Sequence, residues 1–236
     1  MKKELIVILS GGLDSTTLAY KAVAEFGAEN VAAITFDYGQ RHNKEIEFAK
    51  ITTKKLGIEH VILDMSIIGK SIFHSALMDK DAALPTGKYA NENLQDTVVP
   101  NRNMIMISLA TAYCISKGAD MIWYGAHAGD HSNYPDCRPE FINALRRTLA
   151  LCHFKPIKLG APYERSSKAD VVNDGLALKV PFEDTWSCYD GGDVACGKCT
   201  TCNDRLAAFK GNNAKDPIIY RELPEEFKTN GILEVK

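Results

Sequence analysis

Residues 8–15 read Ile-Leu-Ser-Gly-Gly-Leu-Asp-Ser, directly after the apolar run Leu5-Ile6-Val7. Gly11 and Gly12 place no Cβ in the way, so an anion can reach the backbone. Ser10 and Ser15 add hydroxyl donors. Where a strand meets a helix, unpaired backbone N–H groups and the helix N-terminus complete an anion site. Asp14 does not suit an anion. It either caps the helix or holds a metal ion that bridges phosphates. The stretch is neither G-x-x-x-x-G-K-[ST] nor G-x-G-x-x-G. A plain tight turn with Asp14 as cap is the alternative reading.

A second group able to do chemistry lies near the C-terminus. Of seven cysteines, Cys188, Cys196, Cys199 and Cys202 crowd together with spacing C-x7-C-x2-C-x2-C, while Cys114, Cys137 and Cys152 are scattered. Thiolates two residues apart can wrap one ion through a tight knuckle, and Gly197 permits the turn. Four sulfurs close a tetrahedral structural zinc site, although C-x2-C-x2-C also begins iron–sulfur runs. An odd cysteine count is a poor disulfide framework.

These groups need a scaffold, and the first half of the chain supplies the pattern of one. Apolar runs at 5–9, 31–36 and 61–63 read as buried strands. Helical spacing fills 13–26, closed by Gly27, and 43–56, closed by Gly57. A strand–helix–strand–helix–strand order implies a parallel sheet with right-handed crossovers. Further on, 101–117, 139–150 and 168–178 read as helices and 121–124 as a strand, while 79–99 reads as a polar loop or lid. The expected class is α/β, a doubly wound, Rossmann-like parallel sheet. The expected division is a nucleotide-binding domain at 1–182 and a four-cysteine segment with tail at 183–236, packed on the same domain. In such a sheet, ligands sit at the carboxyl ends of the strands.

Bulk properties exclude some functions. The 236 residues are 45% hydrophobic and 25% charged, with a net charge of −2, which is ordinary for a globular protein and poor for a large nucleic-acid footprint. No apolar run reaches the roughly 18 residues of a membrane span. The first residues lack a small-residue cleavage site, and a cytoplasmic protein is the expectation.

Ser10-Gly11-Gly12-Leu13-Asp14-Ser15 resembles the S-G-G-x-D-S signature of the PP-loop (N-type) ATP pyrophosphatases. Three more stretches narrow the resemblance: Phe36-Asp37-Tyr38-Gly39-Gln40-Arg41-His42, Tyr134-Pro135-Asp136-Cys137-Arg138-Pro139-Glu140-Phe141, and the run from Thr185 to Cys202. Together they are similar to one family of that superfamily, the 7-cyano-7-deazaguanine synthases, over about nine-tenths of the chain.

The resemblance implies an adenine nucleotide alpha hydrolase type of fold and an ATP-dependent carbon–nitrogen ligase. Its substrates would be 7-carboxy-7-deazaguanine, ammonia and ATP, with Mg²⁺, and one zinc at the four cysteines. The acid would be adenylated, aminated to the amide, adenylated again and released as the nitrile precursor of queuosine. Leu9, Ser10, Gly11, Gly12, Leu13, Asp14, Ser15 and Thr16 would hold ATP, and Phe36 would wall the adenine. Asp14, Arg102, Lys168 and Arg138 are the candidate catalytic residues: Arg102 on phosphates, Lys168 on adenylate charge, Arg138 on the substrate carboxylate. Asp130 or Asp136 would read the base edge, Tyr134 or Trp186 would stack on it, and Tyr38, Gln40, Arg41 and His42 would face the same crevice. His42 is also a candidate base for ammonium. Several of these have plainer readings: Arg102 and Lys168 as solvated helix residues, Asp136 as a helix cap, Phe36 as core. No nucleic acid or membrane partner is expected, and a homodimer is. The rival on the same fold is a tRNA thiolase, for which Cys137 would be the reactive sulfur.

Overall fold

The computed structural model describes residues 2–40, 44–72, 75, 77–78, 97–131 and 134–228. Arg41, His42 and most of the expected lid lie outside them. Strands β1 (Leu5–Ile8), β2 (Val31–Asp37), β3 (Glu59–Asp64), β4 (Met121–Trp123) and β5 (Lys158–Gly160) form one sheet in the order β3-β2-β1-β4-β5. Every pairing is parallel. The expected class is therefore the observed one.

Leu5, Ile6 and Val7 are fully buried because both sheet faces are covered. Side chains alternate between them. Ile6, Ile34 and Ile122 pack with Ile107, Ala110, Ile142 and Leu145, which belong to α4 (Arg102–Ser116) and α5 (Pro139–Leu149). Leu5, Val7 and Ala33 pack the other way, with Leu18, Ala22, Val171 and Phe209. These come from α1 (Leu13–Phe26), α6 (Lys168–Ala177) and α7 (Thr200–Gly211). The helix α2 (Lys44–Leu56) adds Ala49 to this face. The strand order reverses beside β1, so a crevice opens at the carboxyl ends of β1 and β4.

Three elements escape the sequence pattern. β5 is only three residues long, and α3 (Ser66–Ile72) is short and largely exposed. The helix α7 buries Thr200, Thr201, Asn203 and Arg205 alongside Leu206 and Phe209, so polar residues occupy positions where a core stripe would be apolar. The chain after α7 is also anchored. Arg205 donates from Nε and Nη2 to the Asp216 carboxylate at 2.7 and 2.9 Å, from Nη1 to Thr185 Oγ1 at 2.6 Å and from Nη2 to the Phe182 carbonyl at 2.9 Å. Both members of the pair are buried. The tail thus closes a third cluster, in which Tyr220 and Leu223 cover the cysteines and Trp186.

Candidate functional site

The loop after β1 enters the crevice as expected, but its two glycines differ in purpose. Gly11 has φ +87°, and a Cβ there would stand 2.0 Å from the Glu45 carbonyl. It is glycine so that the loop can lie against the main chain of α2, rather than to open the loop to a ligand. Its carbonyl accepts from the Trp186 N–H at 3.0 Å, which ties the loop to the cysteine segment. Gly12 is the N-cap of α1, and a Cβ there would meet Ser10 Oγ at 3.3 Å. The serines clip the loop shut. Ser10 N–H donates to Ser15 Oγ at 3.1 Å, Gly12 N–H donates to Ser10 Oγ at 3.2 Å, and the two hydroxyls share a hydrogen bond at 2.9 Å.

Asp14 does not cap α1: the N-cap is Gly12, and the Asp14 carboxylate turns to other partners. Instead its Oδ2 lies 3.2 Å from Lys168 Nζ, and its Oδ1 lies 3.9 Å from His127 Nε2. Burial alone would raise the Asp14 carboxyl; Lys168 and His127 outweigh it and hold the group below the ordinary carboxylate range. Oδ1 is buried without a hydrogen bond among the described residues, which suits a group awaiting a cation. Lys168 also meets Asp204 of α7 at 3.0 Å. His127 is buried, and its Nδ1 accepts from the Gly129 N–H at 3.1 Å. In the neutral ring the proton therefore sits on Nε2, facing Asp14 and, at 3.6 Å, Asp130. Burial pushes the Asp130 carboxyl up, against the pull of His127 and Lys168.

Asp14, Asp130 and Lys168 open onto a cavity of about 280 Å³. Leu9, Ser10, Gly12, Leu13, Asp14, Ser15, Phe36, Tyr38, Gln40, Arg102, Asp130, Tyr134, Lys168 and Trp186, all candidates from the sequence, line it. Gly11 and Thr16 lie behind the wall. Arg102 opens α4 with Nη1 3.3 Å from Tyr38 Oη. Asp136 and Arg138 do not reach the cavity. Asp136 Oδ2 accepts from the Asn103 N–H at 3.1 Å, so it serves the first turn of α4 rather than capping α5. Arg138 donates from Nε to the His131 carbonyl at 2.9 Å and is exposed. Trp186 is stacked on Phe48, with ring centroids 6.1 Å apart, and carries Lys44 Nζ over its ring at 4.0 Å. The sequence reading missed His127, Asp204 and Glu45. His127 and Asp130 form a reciprocal cap, and that H-x-x-D spacing was the available signal. Cys137 lines the cavity, but burial raises its thiol well above the usual range. Delivery of sulfur would need the opposite shift.

Cys188, Cys196, Cys199 and Cys202 converge, with every Sγ within 4.8 Å of the others. The Cys196–Cys202 separation is 3.9 Å, close to the edge of about 3.8 Å that a tetrahedron of 2.3 Å Zn–S bonds requires. Backbone N–H groups of Cys196 and Cys199 donate to Cys188 Sγ and Cys196 Sγ, both at 3.3 Å, in the manner of a metal knuckle. The donor set fits a metal ion. Through Trp186 and α7 this centre adjoins the cavity.

A doubly wound sheet with a serine–glycine loop at its switch point, a cavity at the carboxyl ends of β1 and β4 and a four-thiol centre behind it defines the class of this α/β protein. The model of one protein family, described as queuosine biosynthesis protein QueC, matches residues 4–213, and the chain belongs to that family. It is 44% identical over 222 residues to the 7-cyano-7-deazaguanine synthase of Psychromonas ingrahamii, covering 94% of this chain and 100% of that one. It is 49% identical over 215 residues to the 7-cyano-7-deazaguanine synthase of Caldicellulosiruptor saccharolyticus, covering 91% and 94%. A weaker likeness extends to the solved NMN synthetase of Francisella tularensis, with a TM-score of 0.49 and 14% identity over 90% of this chain and 78% of that one. Among the described residues no helix is long and apolar enough to cross a membrane.

Proposed function

We propose that this chain is an ATP-dependent ligase that converts 7-carboxy-7-deazaguanine and ammonia to 7-cyano-7-deazaguanine. The observation that carries the reading is near full-length similarity to synthases of that name, together with a closed serine–glycine loop at the switch point. A carboxylate is a poor electrophile because oxide cannot leave. Adenylation makes its oxygen part of a good leaving group, and ammonia then displaces AMP. Adenylation of the amide oxygen follows, and loss of AMP together with a proton from nitrogen, without a second ammonia, yields the nitrile.

The cavity residues divide the work. Gly12 and the Ser10–Ser15 clip line the side on which the nucleotide phosphates would lie. Asp14 Oδ1 would hold Mg²⁺, which supplies charge neutralisation on pyrophosphate. Lys168, held by Asp14 and Asp204, would offset negative charge that develops on the α-phosphate. Arg102, which lines the cavity where Arg138 does not, would take the role first given to Arg138 and meet the substrate carboxylate. Asp130 and Tyr134 remain for the base, His127 fixes Asp130, and Phe36 walls the adenine. The four cysteines would hold zinc, which clamps the start of α7 and the Trp186 turn. The 183–236 segment then acts as an appended part of the 1–182 domain.

The test is a product assay. Purified protein with ATP, Mg²⁺, ammonium and the acid should yield the nitrile by mass spectrometry, and ¹⁸O from the acid should appear in AMP. Failure to consume the acid overturns the assignment; an endpoint at the amide revises it.

A further inference from the structure

Three carboxylates line the cavity among the described residues: Asp14, Asp130 and Glu45. Two are engaged, Asp14 by Lys168 and both by His127. Glu45 stands in the first turn of α2, and its carbonyl packs where a Gly11 Cβ would project. It lines the cavity, its carboxylate is within electrostatic reach of Arg102 and Tyr38, and among the described residues that carboxylate makes no hydrogen bond or ion pair. The groups facing it are Tyr38 and Arg102; Tyr134, Tyr189 and the Asp14–Lys168 pair line the same cavity. The aromatic rings can lie against a small cation, and the carboxylate can accept its proton.

We propose that Glu45 is the catalytic base of the amination step, binding ammonium and taking its proton inside the cavity. This rests on the ammonia-dependent reading above. Ammonium has no lone pair and cannot attack an acyl carbon. Glu45 removes one proton and becomes a neutral carboxylic acid. The nitrogen lone pair then forms the N–C bond to the acyl adenylate, the C–O bond to the phosphate breaks, and AMP leaves with that electron pair. A second proton passes from nitrogen to the departing phosphate oxygen. No oxidant or further reactant is needed. A carboxyl of ordinary acidity would be too weak a base for this, but burial, only partly opposed by Arg102, raises Glu45 to about 7.

The experiment uses the full chain, as wild type, Glu45→Gln and Glu45→Asp. Acid-dependent exchange of labelled pyrophosphate into ATP reads adenylation alone. Product formation is then followed with ammonium and with hydroxylamine, which is largely unprotonated at neutral pH. Glu45→Gln should keep exchange within about threefold of wild type, as for a group absent from that step. It should lose ammonium-dependent product on the order of 10²-fold, while hydroxamate formation persists. Glu45→Asp should recover part of the ammonium rate. Equal loss of exchange and amination, or loss with both nucleophiles, would overturn the proposal, as would unchanged amination. Absence of acid-dependent exchange in the wild type would instead defeat the ligase reading itself.

Discussion

Lys168 Nζ and Asp14 Oδ2 lie 3.2 Å apart, although 153 residues separate them in the chain. The contact joins the first turn of α1 to the first turn of α6 across one face of the sheet. Asp204 holds the same ammonium from α7, so three helices meet at one charge. The side chains of Lys168 and Asp14 are 13% and 25% exposed, so their interaction is less screened than a surface pair.

Lys168→Met should therefore act on chemistry more than on folding. Adenylation, measured as pyrophosphate exchange, should fall on the order of 10²–10³-fold. Lys168 is the chief favourable influence on Asp14, whose carboxyl is lowered in the fold. A lowered carboxyl contributes stability above its unfolded value and loses it as pH falls through the folded one. Without Lys168 that contribution shrinks, and acid unfolding should begin at higher pH. A variant with wild-type exchange would remove Lys168 from the reaction.

The cysteine centre should carry about one zinc per chain, and metal analysis of purified protein reads this directly. Metal binding to such a site is also folding free energy. Chelation, or Cys202→Ser, should lower thermal stability and loosen α7, seen as faster amide exchange over Thr200–Gly211. Because the Trp186 N–H holds Gly11, Trp186 fluorescence should change at the same time. Full metal occupancy after Cys202→Ser would exclude that sulfur as a ligand.

Arg205 and Asp216 make a buried, bidentate pair. Removing one member leaves the other charged and unpaired, so Arg205→Ala should cost about 3–5 kcal/mol in urea denaturation. Arg205→Met combined with Asp216→Leu should recover much of that loss, because the desolvation of both charges disappears. Equal destabilisation by the single and double variants would mean that packing, not charge, dominates there.

The way this pair went unread explains what the sequence could and could not reveal. Strands β1 to β4 and helices α1, α2, α4, α5 and α6 were legible, because runs such as Leu5-Ile6-Val7 need cover on both faces and Gly27 and Gly57 stop their helices. Most cavity residues were legible from motifs at strand ends. The helix α7 was hidden because Arg205 and Asn203 are buried polar residues whose partners lie in other elements, and no local periodicity records them. Asp136 and Arg138 sit in the right loop, but their side chains serve α4 and the His131 carbonyl. Direction of a loop side chain depends on tertiary neighbours. Glu45 stands in the first turn of α2, and its place in the cavity lining depends on the packing of that helix against the loop after β1, which no local pattern records.

The raised Glu45 carboxyl makes a separate prediction about stability. Its value moves from 4.5 to about 7, chiefly through burial. Between those limits the folded chain binds more protons at this site than the unfolded chain, so stability falls as pH rises. The cost is absent below the unfolded value and complete above the folded one. A shift of this size corresponds to at most about 3–4 kcal/mol, and partial exposure of the side chain brings the change to about 1–2 kcal/mol. Glu45→Gln cannot titrate and should lack this slope. Urea midpoints at about pH 5 and about pH 8 should show the variant gaining on wild type at the higher pH. Parallel pH dependence in the two proteins would mean that Glu45 is ionised throughout, and an ordinary carboxylate would then be a poor acceptor for the proton of ammonium.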